Sequence, residues 1–317
     1  MHRHARKQAF RIGLALAIAN TAIGAAQPVL TRYAAVRLDP WLFCAAVVSI
    51  AALCTIPVLA IRGELQILFD RRYMPTLLAM SMSGTVTTSL LLIYGFRHIN
   101  AVAGVILMQS EPVYSLVLST IVLGERPSMR QFVATAAILL GIGSVFVGGS
   151  VFSPLSAALL IFVTPLFWQI SHVLGLRVMP PLTPASITGA RFIFASSVFV
   201  PVALATSSGA IHQLAEPKLL AIVFLIGFFV YFLSALTWYG AISRLSLSWT
   251  TALVVPGVPL LSILFAIAFL GERPDAHELF GVMVAIAGVL ALVLAADGHR
   301  KVAGVLEAAE AVHQPIN

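Results

Sequence analysis

Ten apolar runs, separated by short polar gaps, divide the chain: 12–30, 41–61, 76–96, 101–123, 131–149, 155–176, 185–205, 218–240, 248–270 and 276–296. A helix needs about 20 mostly apolar residues to cross the hydrocarbon core of a bilayer, because each residue advances it by about 1.5 Å. Every run is close to that length, so the pattern predicts ten transmembrane helices. The runs are about twice as long as a barrel strand and do not alternate, which excludes a membrane β-barrel. The gaps hold helix-ending chemistry: Asp39-Pro40, Arg62-Gly63-Glu64, Gly124-Glu125-Arg126-Pro127, Pro180-Pro181 and Gly271-Glu272-Arg273-Pro274. None of them is long enough for a folded domain outside the membrane.

Composition agrees with lipid as the main solvent. The 317 residues are 60% hydrophobic and 10% charged, with a mean hydropathy of +0.99, whereas a soluble domain carries roughly 25% charged residues. The net charge of +7 would suggest nucleic acid in a soluble protein. Here the basic residues sit in the gaps, with no basic face of interleaved aromatics, so nucleic-acid binding is excluded and a topological role is expected. With the N-terminus placed in the cytoplasm, thirteen Lys and Arg fall inside, while Arg32, Arg37, Arg97, Lys218 and Arg273 fall outside. That imbalance predicts a multi-pass protein of the bacterial inner membrane with both termini cytoplasmic, which an even number of spans permits. Arg3, Arg6, Lys7 and Arg11 before the first run could announce a cleaved signal. The first run is instead expected to stay, because the internal repeat needs it. Cys44 and Cys54 lie ten residues apart on one run, about 15 Å, too far to bridge, and no metal-ligand spacing surrounds them.

An internal repeat organises the runs. Gly-Glu-Arg-Pro occurs at 124–127 and again at 271–274, an offset of 147. At the same offset Pro112 matches Pro259, Gly141 matches Gly288 and Arg97 matches Arg244. Tyr94-Gly95 matches Tyr239-Gly240 at 145, and Pro40 matches Pro184 at 144. The chain therefore divides into a cytoplasmic tail (1–11), a first five-helix repeat (12–150), a second five-helix repeat (151–297) and a C-terminal tail (298–317). Five is odd, so the second copy must enter the membrane in the opposite sense. The expected fold is an all-α membrane protein of ten transmembrane helices in two inverted five-helix repeats, with a substrate site near the midplane.

The residues that carry this repeat resemble the EamA family of the drug/metabolite transporter superfamily, over nearly the whole chain. The family pattern of a helix with Pro, often preceded by Glu, then Gly-Glu at its end, appears as Glu111-Pro112 with Gly124-Glu125 and as Pro259 with Gly271-Glu272. A Pro followed seven residues later by Arg appears as Pro184 and Arg191, and an aromatic with a terminal basic residue in the opening helix of the half appears as Trp168 and Arg177. Three positions depart from the pattern: Val47 stands where Arg is expected, the first opening helix lacks Trp, and Val258 replaces the Glu before Pro259. The resemblance implies a permease, and its cargo class, an amino acid or similar small metabolite moving outward, comes from the resemblance alone.

Candidate chemistry lies inside the runs. Glu111 sits about 15 Å along the fourth run, near the midplane, where a carboxylate costs roughly 3 kcal/mol and should face protein or a water cavity. It reads as a proton-coupling or amine-binding group, or alternatively as the partner of Arg191. Arg191 reads as a structural or pairing residue, with a substrate carboxylate as the other reading. Pro112, Pro256 and Pro259 are expected to break the fourth and ninth helices at matching depths, as paired breaks in inverted repeats do at transport sites. Asn20, Gln27, Gln109, Tyr114, Trp168, Gln169, His172, Tyr231 and Trp238 are the further lining candidates. Gln27 and His172 match at an offset of 145. The fifth and tenth runs carry Ala134, Ala137, Gly141 and Gly281, Ala285, Gly288, small residues at helical spacing that suit close packing or a homodimer surface.

Catalytic and cofactor motifs do not fit. The chain has no Gly-x-Ser-x-Gly, no P-loop and no His-Glu-x-x-His, and no metal or cofactor is expected. Energy for transport must then come from a gradient. An importer of a larger metabolite, such as a nucleoside derivative or vitamin, an intramembrane enzyme and a non-transporting scaffold remain as alternatives.

Overall fold

A computed structural model describes residues 2–123, 127–147, 155–178, 182–242, 244–245 and 247–312. The first Gly124-Glu125-Arg126 and Pro180-Pro181 lie outside the described residues. Ten helical rods run in chain order: α1 (His2–Ala35), α2 (Pro40–Arg62), α3 (Met74–Ser81, continuing through Met82–Thr87 to Thr88–Phe96), α4 (Ala101–Met108, then Glu111–Leu123) and α5 (Met129–Val147). They continue with α6 (Leu155–Val178), α7 (Pro184–Thr206), α8 (Pro217–Leu225, Ile226–Leu233 and Ser234–Ile242), α9 (Leu247–Phe265, extended by Ala266–Leu270) and α10 (Ala276–Val312). Among the described residues nine helices are long and apolar enough to cross a membrane, and a shorter apolar stretch, Pro256–Leu270, stands in the ninth position. No strand occurs among them. The protein is all-α, as its apolar pattern requires.

Local chemistry sets the ends of these rods. Asp39 caps α2 by accepting hydrogen bonds from the Trp41 and Leu42 N–H at 3.0 and 3.1 Å, and Pro40 occupies the first turn, where a missing N–H costs nothing. Gly271 ends α9 with a φ of 67°, a left-handed turn that a side chain would strain. Three rods contain wide π-type turns, at Met82–Thr87 in α3, Ile226–Leu233 in α8 and Ala266–Leu270 in α9. The first two occupy matching depths in the two repeats.

Packing between the repeats shows the inversion directly. A Cβ on Gly141 of α5 would stand 2.6 Å from the Gly281 carbonyl and 2.7 Å from the Ala285 N–H nitrogen of α10. A Cβ on Gly288 would stand 2.8 Å from the Ile138 nitrogen and 2.9 Å from the Ala134 carbonyl. Subtracting the 147-residue offset turns each of these contacts into the other. The pairing also runs backwards along the two helices, so α5 and α10 are antiparallel around a two-fold pseudo-axis. The second self-paired couple behaves likewise: Ser49 and Ser196 hydroxyls meet at 2.9 Å, while Gly189 lies against Thr55 and Leu59. The small residues of the fifth and tenth runs are therefore spent on the seam between repeats within one chain. Around these couples, α1 packs on α8 and α9, and α6 packs on α3 and α4.

Helix breaks follow proline less simply than expected. α4 does break, but two residues before Pro112: Gln109 and Ser110 form a tight turn, donating to the Ile106 and Leu107 carbonyls at 3.1 and 3.2 Å. Pro112 has no N–H and its ring would collide with the carbonyl four residues earlier, at Met108, so the fault falls there. Pro256 and Pro259, by contrast, lie inside a continuous helix. The expected break in α9 is absent, and its departure from α-geometry comes later, at Ala266–Leu270. The last helix also runs well past the predicted end at 296, to Val312.

Candidate functional site

The break in α4 positions the first cluster. Ser110 is fully buried and donates its hydroxyl to the Phe162 carbonyl of α6 at 2.8 Å, pinning the broken point to the opening helix of the second repeat. Glu111 then starts the second segment of α4, and its carboxylate accepts a hydrogen bond from the Gln169 amide at 3.0 Å. Among the described residues no ion pair joins Glu111 to Arg191. The Gln109 amide nitrogen is buried without a hydrogen-bond partner among the described residues, an unusual state for a group that costs about 1–3 kcal/mol to leave unsatisfied. Tyr114 packs edge-on against Phe162 at 5.7 Å, and Trp168 lies against the main apolar core. One carboxylate, two side-chain amides and two aromatic rings thus gather where α4 meets α6. A carboxylate with one amide donor can take an ammonium or a proton, and an orphan amide donor can take a carboxylate or carbonyl oxygen.

A second cluster surrounds the wide turn of α3. Arg191 of α7 donates from Nε to the Thr85 hydroxyl at 3.2 Å and from a terminal nitrogen to the Gly84 carbonyl at 2.7 Å. The Gly84 carbonyl, which also accepts from the Thr88 hydroxyl at 2.9 Å, gains a second donor from this guanidinium, which braces the wide turn. Ser81 in turn donates to the Arg191 carbonyl at 2.8 Å. The Arg191 charge reaches both His172 and Tyr231. Tyr231, in the matching wide turn of α8, shares a hydrogen bond of 3.0 Å with Ser89 of α3 and packs against Phe192 at 5.7 Å. His172 keeps an exposed side on α6.

The remaining candidates lie elsewhere. Asn20 is buried and donates its amide to the Ser234 carbonyl, the Ser234 hydroxyl and the Thr237 hydroxyl at 2.8, 3.2 and 3.0 Å, a clamp between α1 and α8. Trp238 packs beside it with Ala17, Ala241 and Val254. Gln27 is half-buried on α1 and makes no hydrogen bond among the described residues. Among those residues no group of three or more His, Cys, Asp or Glu is placed to hold a metal ion.

Two features were not foreseen as site elements. Glu272, just past the left-handed Gly271, accepts hydrogen bonds from the Ala101 and Val102 N–H at 2.8 and 3.1 Å, so it caps the first turn of α4 from the opposite repeat. Burial pushes its carboxyl above the usual carboxylate range, while those two N–H groups and the nearby Arg32 pull it back. The repeated Gly-Glu was visible in the chain, but what it caps was not. The other feature is a crevice of about 620 Å³ between α1, α8 and α9, lined by residues such as Ala26, Leu30, Leu225 and Phe265. None of the sequence candidates lines it.

Comparisons with known proteins match this architecture. The profile of the EamA-like transporter family fits residues 11–147 and 155–294, one copy on each repeat. The chain is 24% identical, over 232 residues, to a protein of Streptantibioticus cattleyicolor named "Probable terminal-alkyne amino-acid exporter", covering 73% of this chain and 76% of that one. It is 23% identical, over 218 residues, to the "Uncharacterized transporter YyaM" of Bacillus subtilis, covering 67% of this chain and 71% of the relative. A crystal structure of a protein superposes with a TM-score of 0.60 at 16% identity, over 91% of this chain and 97% of its own, and shows the same fold. With both repeats matched and their inversion visible in the packing, the chain belongs to the EamA-like transporter family.

Proposed function

We propose that this protein is a secondary-active exporter of an amino acid or a similarly small metabolite, working by alternating access in the bacterial inner membrane with both termini cytoplasmic. The observation that carries the reading is the inequivalence of two structurally equivalent helix pairs. α1 and α8 are parted where residues 22–33 face 218–230, leaving the crevice, yet α6 and α3 are closed at the matching positions, where Ser171 donates to the Met80 carbonyl at 3.0 Å. Inverted repeats whose equivalent helix pairs are packed unequally rest in one of two conformations, and exchanging those two packings is the alternating-access step. Thirteen basic residues on the N-terminal side against five on the other support the orientation.

The cluster at the α4 break supports the cargo class. A cargo ammonium would replace the Gln169 amide as the Glu111 partner, and a cargo carboxylate would meet the unpartnered Gln109 amide. Empty, the Glu111 carboxylate binds a proton instead, since a lone charge near the midplane is costly. Competition between proton and cargo for one carboxylate couples the two movements without any catalytic step. The named function of the Streptantibioticus relative agrees with this class. The test is uptake of amino acids by proteoliposomes of the purified protein with an imposed pH gradient. Accumulation that collapses with the gradient supports the reading. Gradient-independent binding of a nucleoside or vitamin, with no amino acid transported, would replace it by an importer of a larger metabolite.

A further inference from the structure

The crevice between α1, α8 and α9 has a chemistry unlike that of a route for polar cargo. Of its fourteen lining residues only Tyr33 and Lys218 carry a polar side-chain group, and these two stand together at one end. A path for an amino acid would leave its charged ends unpaired along most of this wall. The hydrocarbon tail of a lipid would meet only apolar side chains there.

The end that carries Tyr33 and Lys218 lies where the rods stop. Lys218 is the second residue of α8, and Arg37 follows the last turn of α1. Arg37 stacks over the Tyr33 ring at 3.8 Å, and the Lys218 ammonium lies 4.9 Å from the same ring. Neither cation is ion-paired among the described residues, where the one salt bridge joins Arg62 to Glu64. Arg37 also lines an adjoining hollow of about 540 Å³ with His212, Gln213, Glu216 and Leu219. Two carboxylates stand nearby, Glu216 and Asp39, but the Asp39 carboxylate is taken up by the Trp41 and Leu42 N–H, so the two cations face the crevice mouth without a salt bridge among the described residues. Lone snorkelling would explain one such cation. Two of them converging on one ring, unpaired, above an acyl-shaped apolar crevice, form a basic pocket between membrane helices of the kind that binds anionic headgroups.

We propose that this crevice is a binding site for one anionic phospholipid, with an acyl chain between α1, α8 and α9 and its phosphate on Arg37 and Lys218. The site stands apart from the Glu111 cluster and does not depend on what the protein carries. A chain seated there would hold the outer ends of α1 and α8 apart, so its departure must accompany closure of that pair.

The test uses the full-length protein in nanodiscs doped with phosphatidylglycerol bearing a mid-chain photoreactive group. Cross-links should map to 22–33 of α1 and 222–230 of α8. Unlabelled phosphatidylglycerol should compete several-fold better than phosphatidylcholine. The double variant Arg37→Gln, Lys218→Gln should erase that preference, and Glu216→Gln should enlarge it. Ala26→Trp, which fills the crevice, should remove labelling by either lipid. Equal competition by the two lipids in the unaltered protein overturns the proposal without recourse to any variant. Cross-links elsewhere on the protein overturn it as well. Displacement by inorganic phosphate alone, with no acyl cross-links in the crevice, would make the rim a free-phosphate site instead.

Discussion

The closed α6–α3 pair and the parted α1–α8 pair occupy equivalent places in the two repeats, yet their side chains live in different surroundings. At an offset of 145, Met80 in α3 corresponds to Leu225 in α8; Met80 is 1% exposed and Leu225 is 39% exposed. Ser171 of α6 bonds the Met80 carbonyl, whereas its counterpart in α1 is Ala26, which has no hydroxyl to give. A guanidinium makes a further difference. Arg191 braces the wide turn of α3, while its counterpart Val47, fully buried, lets its carbonyl rest close to Gly227 in the wide turn of α8. At this depth the closed pair is therefore tied by a polar bond, whereas the parted pair has none here and is held farther along by the Asn20 clamp. Equal topology sets what can move; unequal side chains set which half is closed at rest.

The sharpest break of that comparison is at Glu111, whose counterpart in the second repeat is Val258. Glu111→Gln keeps the size of the side chain and fixes the neutral state. Accumulation driven by a pH gradient should fail entirely in proteoliposomes, while exchange of cargo for cargo continues. Full gradient-driven transport by a well-folded variant would make Glu111 a bystander at the α4 break.

Where the repeats are alike, equal changes should have equal cost. Gly141→Val and Gly288→Val each force a side chain against facing backbone, and each should destabilise by about 1–3 kcal/mol or more. Thermal unfolding in detergent measures both. A marked lowering for one alone would show that the α5–α10 seam is not a symmetric hinge.

Ser171→Ala removes the bond that ties the closed pair. An interhelical hydrogen bond in a membrane is worth about 0.6 kcal/mol, so the closed arrangement of α6 and α3 should lose roughly a factor of three in population. A cysteine introduced at Met80 should then react faster with a small polar thiol reagent, and Ala26→Ser should move the opposite pair by a similar amount toward closure. Unchanged labelling in both variants would remove the hydroxyl as the source of the asymmetry.

The smallest expected effect lies outside the bilayer. Glu64, after α2, accepts hydrogen bonds from the Thr183 and Ser186 hydroxyls at 2.6 and 2.7 Å, at the start of α7. Desolvation works to raise its carboxyl, but those two hydroxyls and Arg62 outweigh it, and the group is held below the ordinary carboxylate range. A depressed carboxylate stabilises the fold above its unfolded-state value, and that contribution is lost as pH falls through the folded-state value. Thermal stability should thus decline below about pH 4.5, and Glu64→Gln should flatten that part of the profile by a few tenths of a kcal/mol. An identical acid limb in the variant would place the titration elsewhere.

Much of this architecture was legible without coordinates. The ten rods follow from runs of about twenty apolar residues, since lipid leaves the backbone no partner except itself. Inversion follows from an odd number of helices per repeat, and Gly141, Gly281, Ala285 and Gly288 mark a close-packing or dimer surface, though only the packed structure shows α5 and α10 spending them on each other. Proline was the less reliable guide. Pro112 marks a real fault in α4, but Pro256 and Pro259 ride inside α9, where neighbouring packing holds the helix together.

Tertiary structure alone decided which polar groups are spent and which are spare. Asn20 and Arg191 looked much like Gln109 from the chain, each a polar residue in an apolar run. Folding pairs Asn20 with Ser234 and Thr237, pairs Arg191 with Thr85 and Gly84, and leaves the Gln109 amide without a partner. The same holds for Glu272, whose donors, the Ala101 and Val102 N–H, lie 171 and 170 residues away in sequence. Periodicity is a property of neighbours along one helix, so the chain carries it openly. A hydrogen bond between helices depends on their rotation and depth relative to each other, which are settled only when all the rods pack together.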